Sequence, residues 1–487
     1  MKPSLRAAVP VLALLLSLAA APAASAAQGA GARPAAAPAA SGTVTALTES
    51  ASGVVTSSTG TQVGPGGRAV RSAAAPTGAV APDAVKPLYA SGIAYITVEN
   101  PGNTYWTLSA YNAASGVLNW SVMKPGSAPT IVAGAGAVYV LAATASPTGL
   151  TIYAYASTTG TQTWSMSLGA GTATKPVLAS GYLYFEHAPL SGSYSLEALD
   201  ASTGATAWAF VTPATVATTP VISGNTLYST ISASGAGDLF AMNALTGSLE
   251  WSYAIGTNGY TATPVVGTGY VNIDIESSSG TSWALYSFNA ATGVELWTFP
   301  VGSTYGSGAL AGGTLVYTTY TPASGAPTYY ALNAGTGAVV WSRVISASYT
   351  YPVLIGSYLV CNIAAGSTWT LTGLNAASGT TAWMYATPTT VAYTPQGMGS
   401  SIFTEVHPSA GGPLLYSLAL STGAYQWAYS FGSGTLTTPV LGNGVVYAEL
   451  APTGGTFSLD AFDATAGSLL WSNALGYGTA SQPAVGS

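Results

Sequence analysis

Residues Tyr330–Ser342 read YALNAGTGAVVWS. Two short apolar runs flank an Asn-to-Gly turn, which is the pattern of a β-hairpin. The same phrase returns along the chain: SAYNAASGVLNWS from Ser109, EALDASTGATAWA from Glu197 and YSFNAATGVELWT from Tyr286. Its final Trp recurs at Trp120, Trp164, Trp208, Trp251, Trp297, Trp341, Trp383, Trp427 and Trp471, spaced by 42–46 residues. The Gly four positions earlier is present in all nine copies, from Gly116 to Gly467.

A second marker, Pro ahead of a short apolar run, travels with the first. It stands at Pro87, Pro129, Pro176, Pro220, Pro264, Pro352, Pro395, Pro439 and Pro483, and the copy near Gly308 has lost it. Between the markers each module resolves into four strands. From Pro220 these are PVIS, TLYSTIS after a Gly-Asn turn, DLFAMN after the loop ASGAG, and SLEWSYAI after ALTG. Four antiparallel strands in a period of about 44 residues are the mark of a propeller blade. A helical repeat of this length would need apolar stripes at 3.6 spacing, and the Gly and β-branched density excludes them. The fold class expected is therefore all-β: a β-propeller, as one ring of eight to nine blades or as two smaller rings.

Within the phrase, Asn333 is placed to cap the turn through its side chain, and Gly337 supplies the positive φ that closes it. Asn112, Asp200, Asn243, Asn289, Asn375 and Asp463 hold the capping place; Ala156 and Ala419 depart from it. The residue two places before the cap (Ala110, Ala154, Ala198, Ala241, Ser287, Ala331, Gly373, Ser417 and Ala461) is small in every module, which leaves room for a large side chain, expected to be a Trp from a neighbouring blade. A small residue, Asp or Asn two later, Gly at the seventh place and Trp at the eleventh resemble the tryptophan-docking motif of PQQ-like β-propeller repeats. ALDASTGATAW from Ala198 carries that motif position by position. The resemblance spans residues 85–487 and implies that all nine Trp residues are structural docking residues.

The remaining segments bound the function. Lys2 and Arg6, the apolar run VPVLALLLSLAAA and the small residues ending at Ala26 read as a signal peptide, 1–26. Residues 27–84 are an Ala/Pro/Gly/Ser/Thr-rich linker, in which TVTALTESASGVV from Thr43 resembles a degraded pair of strands able to help close the ring. The terminal SQPAVGS reads as the first strand of a further module. The expected protein is thus exported, secreted or cell-wall associated, and monomeric. Of the 487 residues 48% are hydrophobic and 5% charged, with a net charge of −6, against roughly 25% charged in ordinary domains. After residue 85 the only cations are Lys86, Lys124, Lys175 and Arg343, so a nucleic-acid partner is excluded for want of a basic patch. Cys361 is the only cysteine and cannot form an intramolecular disulfide.

Within the resembled family the dehydrogenases hold pyrroloquinoline quinone (PQQ) and calcium in the central channel. That activity, oxidation of an alcohol or sugar, would want an adjacent cysteine pair and a Glu/Asn/Asp cluster. The lone Cys361 does not supply the pair, and no such cluster maps onto the modules. No cofactor is expected, and PQQ with calcium is the alternative. Aligning the modules places Glu186, Asp274, Glu405 and Glu449 at one position after the second strand's aromatic, where others have Thr97, Thr230, Thr319 and Asn362. Four acids at one height are candidates for calcium or a polar ligand; the plainer expectation is solvated strand ends. Near the third strand stand Trp106, Tyr194, Trp283, Trp369 and Phe457, candidates for stacking on sugars if exposed, and otherwise packing between sheets. Glu186–His187 and Glu405–His407 fall in equivalent loops five modules apart, too far for a shared metal site. The function expected is a non-catalytic binding or scaffold module for an extracellular protein or polysaccharide. A quinone-dependent oxidoreductase and a cell-envelope assembly factor are the alternatives.

Overall fold

The computed structural model describes residues 92–486, apart from short loop segments, together with Thr61–Val63 and Ala69–Val70. The proposed signal peptide, most of the linker and the module marker Pro87 lie outside the described residues. Every regular element described is a strand. The strands form nine antiparallel sheets, one per blade, arranged as a single ring.

The module from Pro220 shows how the sequence makes a blade. Its inner strand (Val221–Ser223) turns through Gly224 into the second strand (Thr226–Ala233), followed by the third (Ala236–Asn243) and the outer strand (Leu249–Thr257). The third strand begins two residues earlier than the sequence suggested. Around the conserved Pro the inner strand of blades 3, 4, 8 and 9 splits into two short pieces, for instance Gly171–Ala173 and Val177–Ala179. Proline has no N–H to give the ladder, so in these blades pairing stops there and resumes after it, whereas in blade 7 Pro352 stays within one strand opposite Cys361.

The ring closes through the C-terminus. Thr479–Ala480 and Ala484–Gly486 pair antiparallel with Ile93–Glu99, the second strand of blade 1, and so form its inner strand. Nine blades result, and the two-ring alternative falls because the last tryptophan, Trp471, docks on the first blade, its Nε1 donating to the Ala113 carbonyl at 2.9 Å. The linker strand Thr61–Val63 takes a different place: it pairs with the outer strand of blade 8, Tyr425–Ser430, and with Ala69–Val70.

The core is distributed between the blades. The apolar clusters, with one exception whose buried residues all lie in blade 8, join the second and third strands of two neighbouring blades, as Tyr139, Leu141 and Ile152 of blade 2 do with Leu183, Phe185 and Leu199 of blade 3. Successive strand residues point to opposite faces, so each blade presents one row of side chains to the blade before it and another to the blade after it.

Candidate functional site

Three sets of residues line the seams between blades. The first is the docking lock. Trp341 donates its Nε1 to the carbonyl of Ala376 in the next blade at 2.9 Å, and its ring lies against the turn residue Gly379, whose φ is +69°. Trp120, Trp164, Trp208, Trp251, Trp297, Trp383 and Trp427 make the same contact with Ser157, Ala201, Ala244, Ala290, Ala334, Leu420 and Ala464. The turn itself is held as the cap predicts: Asn333 Oδ1 accepts from the N–H groups of Gly335 and Thr336, both at 3.0 Å. The small residue ahead of the cap has another role than the one its size suggested. It pairs across the strand with the Trp of its own blade, as Ala331 does with Trp341. A Cβ on Gly373 would stand 2.2 Å from Trp383 of the same blade. The bed for the neighbour's indole is the turn glycine.

One part of the lock was legible but missed. The third residue of the second strand is aromatic in seven blades, and each ring packs tilted on the Trp of its own blade with centroids about 6 Å apart. The pairs are Tyr95–Trp120, Tyr139–Trp164, Tyr184–Trp208, Tyr228–Trp251, Tyr317–Trp341, Phe403–Trp427 and Tyr447–Trp471. Blade 5 has Asn272 there instead. Tyr270, two residues earlier, fills the seam and donates its hydroxyl to the Gly313 carbonyl of blade 6 at 3.0 Å.

The second set is the fifth residue of the second strand. Glu186, Asp274, Glu405 and Glu449 are all buried, between 0 and 3% exposed. The expectation of solvated strand ends is therefore overturned: strand alternation turns each acid into the seam toward the next blade. Their surroundings differ. Ser229 Oγ of blade 4 donates to Glu186 Oε1, the Tyr320 hydroxyl of blade 6 to Asp274 Oδ1 at 2.9 Å, and the Leu436 N–H of blade 9 to Glu405 Oε1 at 3.0 Å. Neither carboxyl oxygen of Glu449 has a hydrogen-bond partner among the described residues. Its strand neighbour Tyr447, on the same face, packs on Ala94 and Ile96 of blade 1. Burial disfavours the charged form and pushes Glu449 up to about 8. Glu186 is raised to about 8 by burial, with the Ser229 hydrogen bond pulling the other way. Asp460, which sequence reasoning passed over, is equally buried; it is raised to about 6 by burial, against the opposing bonds from Ser472 and Ser458.

Each acid thus occupies a different seam, 3–4, 5–6, 8–9 or 9–1. Among the described residues no three His, Cys, Asp or Glu side chains come together as a metal site. Glu186, Asp274, Glu405 and Glu449 therefore do not converge on one ion. His187 is buried with its Nδ1 3.6 Å from Glu197 Oε1, the same oxygen that accepts from Ser195 Oγ at 2.5 Å. The carboxylate, not the imidazole, stands between hydroxyl and ring, so the trio lacks the order that would activate a serine. The side chain of His407 is outside the described residues. Cys361 is fully buried between blades 6 and 7, and burial pushes its thiol up to about 12.

Of the third set, the aromatics, three of the five are internal. Trp106 and Phe457 are fully buried and Trp283 nearly so; Trp106 packs on Tyr153 of blade 2, and Trp283 lies with Tyr320 of blade 6. These rings offer no flat exposed face to a sugar. Trp369 and Tyr194 are half-buried.

A cleft of about 270 Å³ opens in the seam between blades 1 and 2, at the turn end of the lock. Its lining includes Ile93, Tyr95 and Asn119 of blade 1 and Ser157 and Thr158 of blade 2, and no charged side chain contributes to it.

No curated protein matches the chain. Among solved structures, BamB from Moraxella catarrhalis is 19% identical, covering 69% of this chain and 91% of that one with a TM-score of 0.43. The quinohemoprotein alcohol dehydrogenase of Comamonas testosteroni is 12% identical, covering 78% and 77% with a TM-score of 0.43. A eukaryotic initiation factor is 9% identical, covering 80% and 98% with a TM-score of 0.54, a likeness of fold alone. The family model described as "Outer membrane protein assembly factor BamB" matches residues 104–326 and 284–406. Those matches cover more than half of the sequence and fall on the docking repeats, so the chain belongs to that family of PQQ-like β-propellers.

Proposed function

We propose that the protein is a non-catalytic binding or scaffold propeller, exported from the cell, whose ligand is an extracellular protein or a polysaccharide. The observation that carries this reading is the fate of the acids. Chemistry on a bound quinone wants carboxylates and amides converging on one ion and one substrate. Here the fifth-position acids of the second strands, Glu186, Asp274, Glu405 and Glu449, are dispersed one to a seam and turned into packing. A ring so built presents a large, rigid, charge-poor surface, suited to uncharged partners. Export is supported by the positive, apolar and small-residue order of residues 2–26.

A glycan and peptide array probed with the full chain tests the proposal: reproducible retention on a subset of spots is the expected result, and none would sink it. Adding pyrroloquinoline quinone with calcium to the purified protein tests the enzyme alternative. Dye reduction with an alcohol or sugar as electron donor would replace the binding reading. A second reading, service in protein assembly at the cell envelope, draws on the description of the matched family. It predicts co-purification of an envelope protein with the chain, and an envelope fraction without any such protein would rule it out.

A further inference from the structure

The cleft between blades 1 and 2 is where this seam departs from the repeat. The residue after the cap is Ala in seven turns and Leu420 in one; in blade 2 alone it is a hydroxyl residue, Ser157. The cap before it is also missing, with Ala156 in place of Asn or Asp. Ser157 still gives its carbonyl to Trp120 Nε1 at 2.7 Å, so the lock is intact, and its side chain is hydrogen-bonded to the Tyr95 hydroxyl. On the opposite wall the first residue of the second strand is Ile93, where blades 3, 5 and 7 place Tyr182, Tyr270 and Tyr358. In blade 5 that tyrosine crosses the seam to the Gly313 carbonyl. In blade 1 the corresponding space is open to solvent.

We propose that this cleft binds one neutral sugar ring, free or as a unit of a glycan. The proposal deepens the binding reading above and rests on it. The chemistry of the lining selects the class. Hydroxyls of Ser157 and Thr158 and the amide of Asn119 each offer both a donor and an acceptor, which matches the paired donor and acceptor character of sugar hydroxyls. Asn119 and Thr158 are exposed, so their polar atoms are accessible. Without a charged side chain in the lining the site gains nothing from an ionised ligand and would leave that ligand's charge unpaired. The Ile93 side chain adds an apolar surface for the C–H face of a ring. Drug-sized ligands occupy pockets of roughly 300–1,000 Å³, and this cleft, at about 270 Å³, suits a single ring.

The test is titration of the full chain with glucose, galactose, mannose and N-acetylglucosamine, followed by ligand-observed NMR and calorimetry, with glucuronate and glucosamine as charged comparators. Saturable binding of at least one neutral sugar, stronger than either charged comparator, is expected. Ile93→Tyr fills the cleft with the residue three other blades already carry, and should abolish that binding while the thermal transition stays cooperative. Asn119→Ala, at an exposed position, should weaken it by about tenfold, the worth of one well-made polar contact. Absence of saturation with all four neutral sugars, preference for a charged one, or unchanged binding by both variants would overturn the assignment. Retention of Ile93→Tyr on the same array spots as the wild type would move the ligand elsewhere and leave the binding reading standing; loss of all array binding in the wild type would remove that reading itself.

Discussion

In the outer part of every seam a tryptophan lies on the turn glycine of the next blade and donates to the same carbonyl, nine times in nine. In the inner part, the fifth residue of the second strand is Thr97, Leu141, Glu186, Thr230, Asp274, Thr319, Asn362, Glu405 or Glu449 in turn. The first set is uniform because its job is geometric: one indole must fit one positive-φ turn at one distance. The second set is free to vary because each seam meets its residue separately: Glu186, Asp274 and Glu405 receive a serine, a phenol and a backbone N–H in turn, whereas Glu449 is buried with no hydrogen-bond partner among the described residues. Repetition here marks scaffold, and departure from repetition marks where individual chemistry resides.

Breaking the uniform part should cost most. Trp341→Ala removes an indole that is largely enclosed between blades 6 and 7, and should destabilise by about 3–5 kcal/mol. Denaturant unfolding measures it, and a loss below about 1 kcal/mol would mean the indole does not fasten the seam. Gly337→Ala attacks the equivalent lock of the preceding seam, that of Trp297 between blades 5 and 6, from its bed. Its φ is +69°, and an added Cβ would stand 2.7 Å from Trp297 Cδ2. Left-handed backbone costs an L-residue about 1–2 kcal/mol, and displacing the indole adds overpacking of about 1–3 kcal/mol. A thermal midpoint equal to the wild type would contradict the packing described.

The varied part is probed by pH. Glu449 titrates near 8 when folded and near the ordinary Glu value of about 4.3 when unfolded. Between these values the folded chain holds a proton that the unfolded chain has released. Stability therefore falls as pH rises from about 4.3 to about 8 and levels off beyond, by up to about 1.4 kcal/mol per pH unit for this carboxyl. Glu449→Gln, with no proton to lose, should flatten that slope, and urea unfolding at several pH values gives the difference. Parallel pH profiles for the two proteins would show that Glu449 is solvated when folded.

Much of the ring was legible in the sequence, and the parts that were not share a physical cause. The nine Trp and Gly positions marked the nine modules because both residue types are demanded by local geometry that nothing else satisfies, whereas the choice between eight blades, nine blades and two rings turned on how the chain closes. The acids were misjudged because a carboxylate at a strand end looks solvated in sequence; only the alternation of strand faces against a neighbouring blade shows that Glu186 and Glu449 turn inward. Asp460 was passed over for the same reason, since the serines that satisfy it, Ser458 and Ser472, look like ordinary strand polarity. For ring closure the terminal strand after Pro483 was visible, the stretch from Thr43 lies outside the described residues, and the linker strand Thr61–Val63, which was not read as a strand, sits on the outer edge of blade 8. Nothing in its residues distinguishes an inner strand from an added outer one.

The smallest effect sharpens the comparison most finely, because it lies inside the uniform set. Blade 6 caps its turn with Asn333, whereas blade 8 makes the same turn with Ala419; the bond from the glycine N–H to the first carbonyl is 2.8 Å in both. The backbone geometry is thus independent of the cap, and the side chain only adds hydrogen bonds to exposed N–H groups. Such bonds are worth about 0.5–1.5 kcal/mol net. Asn333→Ala should lose that amount and Ala419→Asn should regain a similar amount in blade 8, with the fold unchanged in both. If Ala419→Asn destabilises instead, the blade 8 turn is constrained by its neighbour Leu420, which packs in the seam with blade 7, and the cap is not transferable between blades.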